Sequence, residues 1–142
     1  MSKTNSGLVT YAKAQIGLPY WYGTFGQTAS ETLYTAKKKQ YPSYYTASDF
    51  SSQYGKRIHD CVGLIKGYLW SSSTTAAPTY TASQDVSASG MYSKSTTKGG
   101  ISSFPMKAGQ LVFKSSSSGI HHVGVFGGDG YVYEAKGHAT AL

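Results

Sequence analysis

Few residues in this chain can do covalent chemistry, and the single cysteine stands first among them. Cys61 directly follows Asp60. Aspartate is a favoured helix N-cap, and the apolar positions Cys61, Ile65, Tyr68 and Leu69 recur at helical spacing, so Cys61 is expected to open a helix. Free backbone N–H groups and the positive end of the helix dipole favour a thiolate there, lowering a thiol pKa from about 8.5 into the range of roughly 3.5–7.5. That is how a nucleophile is made. The competing reading is a small buried hydrophobe, because free cysteine is among the most buried residue types.

A nucleophile needs a base. His122 stands at the start of a β-type run, with Glu134 twelve residues on and a glycine-rich turn, Gly127-Gly128-Asp129-Gly130, between them. An odd number of loop residues allows the two side chains to lie opposite each other on one face, whereas a two-residue turn sends Glu134 to the other face. On a shared face the carboxylate can accept the imidazole N–H, fix its tautomer and stabilise the imidazolium formed during catalysis. His121, His59 and His138 are rival bases by type. The strand position before Val123-Gly124-Val125 and the spacing to Glu134 single out His122.

These groups must be positioned by a chain of 142 residues, which suits one domain spanning 1–142 with a sizeable core. A lone cysteine excludes an internal disulfide or a multi-cysteine zinc site, the histidines lack a metal-site pattern, and no metal or cofactor is expected. The net charge of +7 implies an anionic partner, either nucleic acid or a bacterial wall. Charged residues make up only 13% of the chain, so the basic charge is diluted rather than gathered into a stripe, and nucleic acid is disfavoured. The first residues contain no apolar signal-like core, and no run approaches the roughly 18 apolar residues of a membrane span. A soluble monomer without membrane insertion is expected.

Residues 8–16 place Leu8, Val9, Tyr11, Ala12 and Ile16 on one helical face, with capping residues ahead and Gly17 and Pro19 behind. Residues 24–58, rich in tyrosine with Lys37-Lys38-Lys39 in the middle, read as a long irregular insertion holding at most one short helix. They form either a solvated basic loop or a sugar- or peptide-binding rim. After the cysteine helix, Ser71 to Pro78 is a low-complexity connector, residues 82–92 form a weak helix broken near Gly90, and Pro105 to Gly109 is a turn delivering a strand. The C-terminal third alternates in short runs, 111–113, 122–126 and 131–135, separated by Ser- and Gly-rich turns. These predict an antiparallel meander following helices.

Three ordered stretches, Asp60-Cys61-Val62-Gly63, Ala108-Gly109-Gln110-Leu111-Val112-Phe113 and His122-Val123-Gly124-Val125-Phe126, resemble the signatures of NlpC-type cell-wall cysteine peptidases. Pro19-Tyr20-Trp21-Tyr22-Gly23 resembles the aromatic stretch that precedes the nucleophile in that family. The resemblance implies an α+β, papain-like fold, with N-terminal helices and a nucleophile-bearing helix packed on a C-terminal antiparallel sheet. It implies Cys61 as nucleophile, His122 as general base and then acid, and Glu134 in the third polar position. Tyr20, Cys61, Trp21 and His121 are the expected oxyanion and substrate-binding residues.

The implied activity is cleavage of an amide in the murein stem peptide, most closely the D-glutamyl–diamino acid bond. The alternatives are N-acetylmuramoyl-L-alanine amidase activity with the same triad, or a non-catalytic basic module that binds wall polymer or nucleic acid. Bacterial peptidoglycan and anionic wall polymers are the expected partners. A phage endolysin, made in the host cytoplasm and then released to the cell wall, suits this composition, as does a bacterial autolysin domain whose signal lies elsewhere. The segment between Gly23 and Asp60 is longer than the family pattern, Gln110 stands where Asp is common, and a wall-binding module beyond residue 142 is expected.

Overall fold

The computed structural model describes residues 3–48, 50–95, 97–100, 102 and 107–135. His138 and part of the expected turn at 105–109 lie outside these residues. Helix α1 (Asn5–Ala14) starts at Thr4, whose hydroxyl accepts the Gly7 N–H, and stops before Ile16, which is exposed rather than on the buried face. Strand β1 (Phe25–Thr28), helix α2 (Glu31–Gln40) and strand β2 (Arg57–His59) follow. Helix α3 (Cys61–Trp70) begins one residue after β2. Helix α4 (Ala88–Lys94) leads to strands β3 (Leu111–Ser116), β4 (Gly119–Phe126) and β5 (Val132–Tyr133).

The C-terminal strands form the expected antiparallel meander, in the order β3-β4-β5, and with the helices they make an α+β fold. Val123 and Val125 of β4 project into a core shared with Leu8 and Val9 of α1, Val62 and Ile65 of α3, and Ala88 of α4. Burial of such side chains stabilises a fold by roughly 1.5–3 kcal/mol each. This core fixes α3 against the middle strand. Helix α3 is buried nearly all round rather than along one stripe, and Leu69, expected inside, is exposed.

Two glycines explain how α3 also meets β1. A methyl group at Gly63 would collide with the Thr24 carbonyl oxygen, and one at Gly67 would come within 2.9 Å of the Phe25 carbonyl oxygen. Four residues apart, they lie one above the other on the helix, so their bare faces admit the β1 backbone.

Residues 24–58 are more ordered than an irregular insertion. Strands β1 and β2 pair antiparallel, and Ser30 caps α2 by accepting the Leu33 N–H. A second core of Trp21, Tyr45, Phe50 and Ile58, with Tyr34 and Tyr54 against it, holds this region together. Its rings meet mostly edge to face, as aromatic quadrupoles prefer. Of the tyrosines that suggested a loop, Tyr45 is buried in this core and Tyr34, Tyr41 and Tyr54 pack against it, while Tyr44 is exposed. Gly90 lies within α4 rather than ending a helix, since Ser87 supplies an N-cap by accepting its N–H. Among the described residues, no helix is long and apolar enough to cross a membrane.

Candidate active site

The start of α3 is built as its residue types require. Asp60 caps the helix, its Oδ1 accepting the Gly63 N–H at 2.6 Å, while Oδ2 accepts the Gly23 N–H at 3.0 Å. Both carboxylate oxygens are occupied by backbone, so Asp60 positions the helix rather than reaching toward an imidazole. Cys61 is half-buried at the first helical position. Burial pushes its thiol pKa up, and the neighbouring Asp60 pushes it further, while the N–H groups of Val123, Val62 and Cys61 itself pull the other way. The balance is upward. The expected lowering by the helix terminus is therefore overturned, because desolvation of the thiolate and an adjacent carboxylate outweigh a few N–H dipoles.

His122 reaches the site through an irregular strand. In the β3–β4 ladder Lys114 pairs with His122 but Ser115 pairs with Ile120, which leaves His121 as an extra residue on β4. Such a bulge bends the strand and re-aims the side chains beside it. His122 lies inside β4 rather than at its start. Its Nε2 meets Glu134 Oε1 at 2.6 Å. The connecting loop, residues 127–131, has five residues, the odd number that puts both side chains on one face. Because Val125 pairs with Tyr133, the register sets Gly124 opposite Glu134. A Cβ on Gly124 would lie 3.3 Å from that of Glu134. His122 is thus the diagonal neighbour of Glu134 instead of its direct partner, a reach that long side chains span.

The backbone N–H of Val123, the residue after His122, lies near enough to the Cys61 thiol to favour its ionised form, so β4 brings the imidazole-bearing segment to the helix terminus. His121 is exposed and lines the cleft into which Cys61 opens. His59 is only 1% exposed and bonded through Nε2 to the Tyr11 hydroxyl at 2.7 Å, with its pKa held down to about 3 by burial and by Arg57. That removes it as a base.

The cleft has a volume of about 920 Å³ and runs from Cys61, Tyr20 and His121 to a wall formed by α2 and its flanking tyrosines. The Tyr20 hydroxyl has its pKa pushed up by burial and by Asp60 and Cys61, which keeps it a neutral hydrogen-bond donor beside the sulfur. Trp21, expected to contact substrate, is instead fully buried, its Nε1–H donating to Gln53 Oε1 and its ring packed among Tyr34, Tyr45, Phe50 and Tyr54. An indole in the middle of an aromatic core is a packing residue. Residue reasoning also missed Lys37 and Lys66, which line the cleft. The signal for Lys37 was the basic run in a segment read as either a solvated loop or a binding rim; Lys66, on the cysteine helix, had none.

Among the described residues, no group of three His, Cys, Asp or Glu side chains could hold a metal ion. Comparison of the chain with known families places nearly all of it. The NlpC/P60 family model matches residues 17–141. The chain belongs to the NlpC/P60 family. NlpC/P60 proteins are cell-wall peptidases of the cysteine type, and this member's α+β architecture is in keeping with their papain-like fold. Neither the comparison with curated proteins nor that with solved structures gave a match.

Proposed function

We propose that this NlpC/P60 protein hydrolyses an amide bond of the murein stem peptide, the D-glutamyl–diamino acid bond, with Cys61 as nucleophile, His122 as general base and Glu134 as its orienting partner. The observation that carries this reading is the 2.6 Å contact between His122 Nε2 and Glu134 Oε1, next to Val123, whose backbone N–H acts on the Cys61 thiol. With Nε2–H given to the carboxylate, Nδ1 is the nitrogen left to exchange a proton.

The raised thiol pKa favours a neutral resting cysteine. The thiol proton passes to His122 Nδ1 as sulfur attacks the carbonyl carbon, and the carbonyl π electrons move onto oxygen. The Cys61 backbone N–H and the Tyr20 hydroxyl stabilise that oxyanion. Collapse breaks the C–N bond, His122 protonates the leaving amine, and a thioester remains. Water, giving its proton to His122, attacks the thioester; the acid is released and the thiol restored. Glu134 holds the imidazole throughout and offsets the positive charge it carries between transfers.

The net charge of +7 suits an anionic wall, and the reading places the protein at bacterial peptidoglycan after synthesis in a host cytoplasm, as an endolysin would be. Purified peptidoglycan digested with wild-type protein and with Cys61→Ala, followed by mass spectrometry of the fragments, tests the assignment. Shortened stems that appear only with the wild type support the endopeptidase. Glycan chains freed of whole peptides would instead establish the amidase. Equal digestion by Cys61→Ala would remove the thiol mechanism altogether.

A further inference from the structure

Among the described residues, the cleft that Cys61 lines includes a lysine that makes no ion pair. Lys66, on α3, is bonded to Asp85 Oδ1 at 2.7 Å and to the Val86 carbonyl oxygen at 3.2 Å. Lys37, on α2, has no such partner: its Nζ lies 3.5 Å from Gln40 Oε1 and 5.6 Å from the centre of the Tyr41 ring. Among the described residues, no carboxylate comes within ion-pair distance of it. The carboxylate of Asp60 is occupied by two backbone N–H groups and that of Asp85 by Lys66 and the Tyr80 hydroxyl. Yet the Lys37 side chain is half-buried and faces the same space as Cys61.

A half-buried ammonium without an anionic partner costs the fold free energy. That cost shows in the lowered Lys37 pKa: burial pushes it down, the more distant carboxylates of Asp60 and Asp85 oppose this without cancelling it, and the Lys66 charge adds to the lowering. Such a group gains when an anion enters and replaces the long, neutral contact to Gln40, because a charge-assisted hydrogen bond in a partly desolvated cleft is stronger than a neutral one. The position also fits a substrate contact. Helix α2 is held by the aromatic core beneath it, so the lysine stem is anchored while its head reaches into the cleft.

We propose that Lys37 binds a carboxylate of the peptide lying in the cleft, and so selects acidic over amidated stems. This rests on the reading of the cleft as a stem-peptide site. Two carboxylates could fill the role: the α-carboxylate of the D-glutamyl residue and the C-terminal carboxylate of the peptide.

Calorimetric titration of the Cys61→Ala protein separates them. The probes are L-Ala-γ-D-Glu-L-Lys-D-Ala and two forms of it, one with the D-glutamyl α-carboxyl as carboxamide and one with a C-terminal carboxamide. One amidation is expected to weaken binding on the order of tenfold. Adding Lys37→Gln should abolish that difference, and Lys37→Arg should keep part of it. The proposal is overturned if neither amidation changes affinity, if the difference survives in Lys37→Gln, or if no peptide binds. Turnover by the wild-type protein is read alongside. A binding preference without turnover condemns the hydrolase reading alone, and turnover without a preference condemns the role of Lys37 alone.

Discussion

Cys61 and His59 show how far a residue's neighbours outweigh its type. The thiol sits where helix geometry favours ionisation, yet burial and Asp60 leave its pKa raised. Iodoacetamide labelling of the single cysteine is therefore expected to stay slow through neutral pH and to climb only above about pH 8.5, the ordinary thiol value. A rate already at its plateau by pH 7 would mean a preformed thiolate. His59 behaves in the opposite sense to a catalytic imidazole. Its folded pKa of about 3 lies below the ordinary value of about 6.5, so between these limits the unfolded chain binds a proton that the folded one refuses. The associated stability is present above pH 6.5 and is lost as pH falls, at up to about 1.4 kcal/mol per pH unit. Urea unfolding from pH 7 to pH 4 should show that slope, and His59→Gln should flatten it while lowering stability at pH 7 through loss of the bond to Tyr11. Neither property was legible from the sequence, because the groups that bury Cys61 and His59 come from distant segments. The Asp60 cap was legible, because capping is a local event within four residues.

At the level of elements, α3 is positioned by what its sequence lacks. Gly63 must be bare for the Thr24 carbonyl to pass. Gly63→Ala is expected to destabilise the protein by about 3 kcal/mol, because the blocking atom is backbone and cannot rotate away. Thermal unfolding checks this, and a change under 1 kcal/mol would show that β1 can shift without loss. The pairing of His122 with Glu134 was legible only as a condition on loop parity: the sequence runs leave four residues, 127–130, between the strands, and it is the start of β5 at Val132 that makes the loop odd. The bulge at His121 could not be anticipated, as Ile120-His121-His122 carries no glycine or other local mark of an extra residue. The order within residues 24–58 was equally hidden. Alternation and helical spacing report burial along one element, whereas Trp21, Tyr34, Tyr45 and Phe50 form a core by converging from separate turns and helices.

For the whole molecule, net charge is the property that acts beyond contact distance. With +7 spread thinly over the surface, attraction to an anionic wall is long-ranged and screened by salt, the Debye length falling from roughly 10 Å at 0.1 M to 3 Å at 1 M. Clearing of intact peptidoglycan is expected to slow several-fold between 0.05 and 0.5 M salt, while hydrolysis of a short soluble stem peptide changes far less. Parallel decline of both rates would place the charge effect inside the cleft.

The Asp60 carboxylate joins Gly23 on one side of residues 24–58 to Gly63 on the other. The Asp60 N–H also donates to the Thr24 carbonyl, and the Trp21 N–H to that of His59. The long excursion is thus closed at its neck by three hydrogen bonds, Gly23 to Asp60, Asp60 to Thr24 and Trp21 to His59, while the fourth, Gly63 to Asp60, ties that neck to the helix. Lengthening a loop already closed adds little entropy cost, about 0.6 kcal/mol for each doubling. Strands β1 and β2 of this excursion pack with α3 and hold the sulfur's helix, whereas α2 and its lysines, beyond them, are the part that can be rewritten by insertion or replacement while the sulfur stays where it is. On the proposed roles of Lys37 and Cys61, peptide selectivity and bond breaking would then be open to change independently of each other.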